Sequence, residues 1–377
     1  MKSLYIHIPF CQSRCIYCGF YSTTLLALRD SYVSALVSEM QMREPGSDIS
    51  TIYLGGGTPS QLTTEQLRTI LYNINNVYRV AQDAEITIEC NPDDITEEYA
   101  LTIREMGFNR VSLGAQTFSD ERLRTIRRRH NAQQVDNAIA ILRKASFQNI
   151  SIDLMFGFPG ETLNQWQSDI QHAISLQPQH ISAYSLMYEE GTPLHRMLTE
   201  GKIEETDEDL SLQMFEALVS QLTAAGYEHY EISNFALNSH QPSATSPFRA
   251  IHNSSYWHDV PYIGLGAAAH SYDLRSRSWN VADVKEYIRI IGTGRRPVED
   301  SETIDADTHY NDIVTTAMRT REGIPLEILT PELRRYLLDA AKPMAERGLI
   351  TISDTHVSLT HSGIFVSNSV MAELIKA

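Results

Sequence analysis

Four cysteines occur in 377 residues, and three of them, Cys11, Cys15 and Cys18, follow one another as C-x3-C-x2-C. Disulfides are rare in reducing compartments, so thiols clustered this way read as a metal or cluster site. Three thiolates can hold three irons of a cubane [4Fe–4S] cluster and leave the fourth iron without a protein ligand, open to a small molecule. A closed zinc site is the other chemistry open to them: it wants four ligands in tetrahedral geometry, and His7 is the nearby candidate for the fourth. His7 also lies in the alternating run Tyr5-Ile6-His7-Ile8, where a hydrogen-bonded histidine is ordinary. Cys90 stands alone and reads as a buried free thiol.

A second group of residues could bind an anionic, hydroxyl-bearing ligand. Gly55-Gly56-Gly57-Thr58-Pro59 allows close backbone approach and offers unhindered N–H and C=O groups, although a glycine run is also an ordinary turn. Glu89, Gln116, Arg128 and Asp153 stand at or just beyond expected strand ends, where carboxylates suit ribose hydroxyls and an arginine suits a carboxylate. Asp153 inside a strand calls for a ligand or a hydrogen-bond partner. The arginine run 127–129 also fits a solvated helix end.

These residues must be held by regular elements. Short β-branched runs at 4–8, 51–54, 85–89, 110–113, 151–155 and 180–186 alternate with amphipathic stretches at 26–43, 63–75, 97–106, 120–127 with 132–145, and 163–176. Six βα units with right-handed crossovers place every strand C-terminus on one rim, as in an open (β/α)6 barrel, although this spacing also fits a doubly wound sheet. Residues 1–232 form this core in the expected organisation. A bridging segment, 233–300, begins with a loop-like stretch over 233–255. Residues 301–377 form a smaller module of winged-helix-like order: helix 331–347, strands 349–352 and 356–359, helix 362–375.

Charge limits the partners. The chain carries 31 Lys and Arg against 47 Asp and Glu, a net of −16, so its overall field repels nucleic acid and anionic lipid. Residues 301–377 hold seven Lys or Arg against eleven Asp or Glu, and a DNA-reading winged helix should be basic. No apolar run approaches the roughly 20 residues of a membrane-spanning helix, and Pro9 interrupts the start where a signal peptide would be apolar. A cytoplasmic protein is expected.

The cysteine loop, with Tyr17 before its last cysteine, resembles the radical S-adenosylmethionine (SAM) superfamily. That resemblance implies a partial (β/α)6 barrel and a [4Fe–4S] cluster on Cys11, Cys15 and Cys18. It also implies SAM chelating the fourth iron through its methionine amino and carboxylate groups, with reductive cleavage of SAM giving a 5′-deoxyadenosyl radical. Gly56, Gly57 and Thr58 match the glycine motif that meets the amino group of SAM. Glu89, Gln116, Arg128 and Asp153, with Tyr5 six residues before the first cysteine, match the SAM pocket in the branch that contains oxygen-independent coproporphyrinogen III dehydrogenase.

Within that branch the dehydrogenases carry a fourth cysteine where this chain has Phe20, and a long extension where ten residues precede Cys11. His252-Asn253-Ser254-Ser255-Tyr256-Trp257 instead matches the H-N-x-x-Y-W signature of the heme chaperones. The resemblance implies heme as cargo, with His252 implicated in binding it and membrane-bound respiratory enzymes as acceptors. An imidazole can ligate heme iron, and Tyr256 and Trp257 offer aromatic surface to a porphyrin. On residues alone, a tethered segment with a satisfied histidine and buried aromatics is the simpler reading. The expectation is a heme chaperone open to homodimerisation. Its rivals are a coproporphyrinogen III oxidase that converts propionates to vinyls and another radical SAM oxidoreductase.

Overall fold

The computed structural model describes residues 1–238 and 245–376. Six strands, β1 (Lys2–Ile8), β2 (Asp48–Gly56), β3 (Arg79–Cys90), β4 (Arg110–Gln116), β5 (Ile150–Phe156) and β6 (His180–Ser185), lie side by side in parallel. Helices α1 (Arg29–Met42), α2 (Thr64–Val77), α3 (Glu97–Glu105), α4 (Asp120–Thr125), α5 (Ala132–Lys144) and α6 (Leu163–Ser175) connect them. The strand order runs in one direction, with none of the reversal at a switch point that a doubly wound sheet would show. That settles the ambiguity left by spacing in favour of a partial barrel.

Local sequence explains the crossovers. Thr63 with Gln66, Asn131 with Gln134 and Thr162 with Gln165 form reciprocal capping boxes that start α2, α5 and α6. The strands are largely buried on both faces, and polar residues such as Ser112 and Asp153 interrupt their apolar runs.

The sheet extends at both edges. After α7 (Pro193–Thr199) and α8 (Glu208–Ala224), strands β7 (Tyr227–Glu231) and β8 (Asn234–Leu237) form a hairpin beside β6. The stretch expected as a loop over 233–255 therefore supplies β8 and the start of α9 (Ile251–Trp257), while residues 239–244 lie outside the described residues. Strand β9 (Tyr262–Leu265) then joins β1 in parallel. Beyond it, β10 (His270–Tyr272), β11 (Ser276–Asn280) and, after α10 (Val284–Ile291), β12 (Val298–Thr303) continue antiparallel.

One apolar core runs from Leu4 to Ile291, and a second from Tyr310 to Leu374. The second belongs to the smaller winged-helix-like module. Its helix α11 (Ala306–Ala317) is followed by β13 (Ile324–Pro325), α12 (Pro331–Glu346), β14 (Ile350–Ile352) and β15 (His356–Leu359), in sheet order β13-β15-β14. The single helix expected over 362–375 is two, α13 (His361–Phe365) and α14 (Ser367–Leu374), separated at Val366. Gly363 presses so closely on the Leu349 carbonyl that a Cβ would sit 1.9 Å from it, fixing α13 there. The break lets α14 turn back, where Tyr310 Oη donates to the Leu374 carbonyl at 2.9 Å.

Candidate functional site at the barrel rim

The loop after β1 is fixed from both ends. Cys11 N–H donates to the Thr23 carbonyl (2.9 Å), and Thr23 N–H returns to the Pro9 carbonyl (2.7 Å). Between Cys15 and Tyr17, the buried Ile16 enters a small apolar cluster with Ile126, Met155, Phe158, Leu186 and Leu194. Its backbone accepts from Leu194 N–H (3.0 Å) and donates to the Ile126 carbonyl (3.3 Å). The thiols of Cys11, Cys15 and Cys18 are free and partly exposed at this rim. Burial pushes the Cys11 and Cys18 thiols up.

His7 does not complete a zinc site. Its Nε2 bonds the Tyr21 carbonyl (3.0 Å) and its Nδ1 the Tyr5 hydroxyl (3.1 Å), which occupies both ring nitrogens. Among the described residues no three His, Cys, Asp or Glu side chains converge on one ion. A cubane takes one thiolate per iron and has no need of such convergence, so the donor set fits a three-cysteine cluster.

Of the other expected residues, Thr58 and Arg128 reach this loop, and Gln116, Glu89 and Asp153 stand on the strands beside them. Thr58 Oγ1 lies 3.4 Å from Cys11 Sγ. Arg128 donates through Nη2 to Asn91 Oδ1 (2.8 Å) and the Gly114 carbonyl (2.6 Å), and through Nη1 to Cys15 Sγ (3.6 Å). Its buried Nε has no partner among the described residues. Gln116 ends β4 with φ 68°, a left-handed backbone that is costly outside glycine, and its amide nitrogen lies beside Arg128 over Gly114. Ser112 Oγ donates to both oxygens of Asp153 (3.2 and 3.3 Å). Glu89 accepts from Tyr53 Oη (2.7 Å) and Gly56 N–H (3.1 Å). Burial raises the Asp153 carboxyl and pushes Glu89 up to about 7. Tyr5 stands two strands from Glu89, its ring 6.2 Å from that of Tyr53.

The glycine run has a reason of its own. A Cβ on Gly56, whose φ is 111°, would lie 2.5 Å from the His7 ring, and one on Gly57 would lie 2.7 Å from the Pro9 backbone. These glycines let the end of β2 close onto the end of β1.

The histidine–tyrosine–tryptophan stretch forms helix α9, which packs against the middle of β2 and β3. Ile251 and His252 N–H groups donate to the Glu85 carboxylate (3.1 and 2.8 Å). His252 is 1% exposed, with Nδ1 on Thr51 Oγ1 (2.8 Å) and Nε2 on Tyr256 Oη (2.9 Å). Burial lowers its pKa to about 3, so the ring is neutral. The structure therefore presents His252 as a satisfied buried side chain with no nitrogen open to a heme iron. Tyr256 packs edge-on against Tyr262 (4.9 Å), and Trp257 lies under Arg319 of the C-terminal module with its buried Nε1 unpartnered.

Sequence reasoning missed the groups that hold these residues. Asn91 anchors Arg128, and Tyr53 anchors Glu89. At the barrel base, Arg110 lies 4.0 Å from Glu85 and donates to His180 (3.4 Å), whose Nε2 meets Tyr230 Oη (2.8 Å). Polar or aromatic residues at alternate strand positions, as in Thr51 and Tyr53, Glu85 and Thr87, Arg110 and Ser112, and His180 and Ser182, were the available signal.

The family model of the Radical SAM superfamily matches residues 5–173, and that of the HemN C-terminal domain matches residues 304–366. A protein of Bacillus subtilis (strain 168) named heme chaperone HemW is 35% identical over 384 residues, covering 100% of this chain and 99% of its own. The heme chaperone HemW of Escherichia coli (strain K12) is 35% identical over 273 residues, covering 71% of this chain and 69% of its own. Among solved structures, coproporphyrinogen III oxidase (HemN) from Escherichia coli superposes with a TM-score of 0.85 at 21% identity, covering 99% of this chain and 89% of that one. At that identity the likeness concerns the fold.

Proposed function

The chain belongs to the HemW family of heme chaperones, within the radical SAM superfamily, and from that membership we propose that it binds a [4Fe–4S] cluster, SAM and heme and hands the heme to a membrane-bound respiratory enzyme. The carrying observation is the alignment with a heme chaperone along essentially the whole of both chains.

Cys11, Cys15 and Cys18 would hold the cluster, which supplies an iron open to SAM. Arg128, already committed to Asn91 and Gly114, is a fixed cation for the SAM carboxylate. The carboxylates of Glu89 and Asp153 would accept from ribose hydroxyls, and Gln116 adds an amide at the same rim. Gly56, Gly57, Thr58 and Tyr5 shape the wall between β1 and β2. These assignments are supported by the contacts of Thr58 and Arg128 with the cysteine loop and by the placement of Glu89, Gln116 and Asp153 on neighbouring strands. His252, Tyr256 and Trp257 can meet heme directly only if α9 leaves its seat, because the ring nitrogens are bonded inside the protein.

An anaerobic heme titration of cluster-loaded protein, followed at the Soret band, tests the proposal. Saturable one-site binding is expected. Absence of specific binding, or efficient conversion of coproporphyrinogen III to protoporphyrinogen IX by the same preparation, would overturn it in favour of the oxidase.

A further inference from the structure

Helix α9 approaches the proposed SAM pocket through the His252 ring, which faces Tyr53 at 4.9 Å and Tyr5 at 6.4 Å. Tyr53 lies in the middle of β2, with its hydroxyl on Glu89 Oε1 at 2.7 Å. The His252 ring stacks on it, with centroids 4.9 Å apart and planes at 28°, and Tyr5 stacks at 6.2 Å and 27°. The Tyr5 and His252 rings lie 6.4 Å from each other, so Tyr53 packs against a corner of two aromatic rings, which restricts its swing and helps set the position of its hydroxyl.

His252 is itself immobile. Thr51 and Tyr256 hold its two nitrogens, and the Glu85 carboxylate holds the first N–H groups of its helix. A Cβ on Gly55 would lie 2.7 Å from the Tyr53 ring and 2.9 Å from Glu89 Oε1. Glycine at 55 thus makes room for the Tyr53–Glu89 contact, an independent sign that this contact is built into the fold.

We propose that His252 is a positioning residue for the SAM pocket: its ring, stacked on Tyr53, fixes the hydroxyl that orients Glu89 toward the SAM ribose. The inference rests on the proposed role of Glu89 in binding SAM, and it gives the histidine of α9 a task that needs no contact with heme. Loss of the ring frees Tyr53 to turn, and Glu89 then loses its strongest partner and its fixed orientation. Because ring stacking is the operative contact, an aromatic substitute at 252 should preserve the effect while an aliphatic one should not.

The test is calorimetric titration of SAM into the anaerobically reconstituted full-length protein, with cluster content read by absorbance as the control for folding. His252→Ala and Tyr53→Phe should each weaken SAM binding by about tenfold, the scale of a hydrogen bond to a charged group. Their combination should be little weaker than either, as expected when two residues act through one contact. His252→Phe should recover most of the lost affinity, which a heme ligand or a purely hydrogen-bonded strut could not do. Tyr53→Phe is nearly isosteric and keeps the test valid if His252→Ala fails to take up cluster. Unchanged SAM affinity in Tyr53→Phe, multiplying losses in the pair, or no recovery with His252→Phe would overturn the inference alone. Wild-type protein that holds its cluster and binds no SAM would overturn the reading of the pocket as well.

Discussion

Glu89 is where burial and ligand chemistry meet at the residue scale. Burial pushes its carboxyl up to about 7 against the hydrogen bond from Tyr53; the charge of Asp153 adds to the rise, while Gly56 N–H and Arg110 oppose it. An ionised carboxylate can accept from two ribose hydroxyls, whereas the protonated acid must donate from one oxygen. SAM affinity is therefore expected to rise as the pH climbs from about 6 to about 8, and Glu89→Gln should bind weakly with no such rise. Stability runs the other way. The folded carboxyl keeps its proton above the unfolded value, so between the ordinary carboxylate range and about 7 the folded state binds more protons and loses stability as pH rises. Equal SAM affinity at the two pH values, measured by titration, would show that Glu89 does not face the ligand as an anion.

At the scale of elements, the six parallel strands and their helices were legible because β-branched runs mark the strands and amphipathic stretches mark the helices between them. Helix α9 carried no such signal. Its seven residues include Asn253, Ser254 and Ser255, and a single turn or two shows no periodicity. What makes it a helix is distant in sequence, for Thr51 lies 201 residues from His252 and Glu85 lies 167. Strand β12, Val-Glu-Asp-Ser-Glu-Thr, is likewise polar and almost wholly exposed, and only its pairing with β11 makes it a strand. The glycine run was legible as a site of close approach, but a single sequence could not show that the approaching groups are His7, Pro9, Tyr53 and Glu89. The anchoring of α9 can be tested directly. Glu85→Ala removes the acceptor for two helix N–H groups and one of the carboxylates beside the buried Arg110, so a loss of about 3 kcal/mol is expected in chemical denaturation. A loss below about 1 kcal/mol would mean that Glu85 does not hold the helix.

Across the whole molecule, the two cores meet along a seam that includes the pairs Arg277–Asp312 and His309–Asp259, both at 2.7 Å, and the Phe215–Phe365 contact, with backbone pairing at one end. Residues 319–321 run along the free edge of β7, with Ile232 N–H on the Arg319 carbonyl (3.1 Å) and Arg321 N–H on the Tyr230 carbonyl (2.9 Å). Beside them Glu228 gathers two arginines, Arg249 at 2.6 Å and Arg321 at 3.0 Å, while Arg249 reaches on to Glu322 at 2.9 Å. Burial alone would raise the Glu228 carboxyl, but the hydrogen bonds from Arg249 and Ser246 N–H and the two guanidinium charges outweigh it and hold it below the usual carboxylate range. A depressed carboxyl contributes stability that is present above its unfolded pKa and lost as pH falls through its folded one. This end of the seam is therefore at full strength near neutral pH and should weaken on acidification below about 4. Hydrogen exchange can follow this, since the module from α11 to α14 has a core of its own and can open as a unit. Glu228→Gln should speed exchange across the C-terminal module at neutral pH while the barrel strands keep their protection. Unchanged exchange in the module, or equal acceleration in both cores, would show that Glu228 is not what couples them.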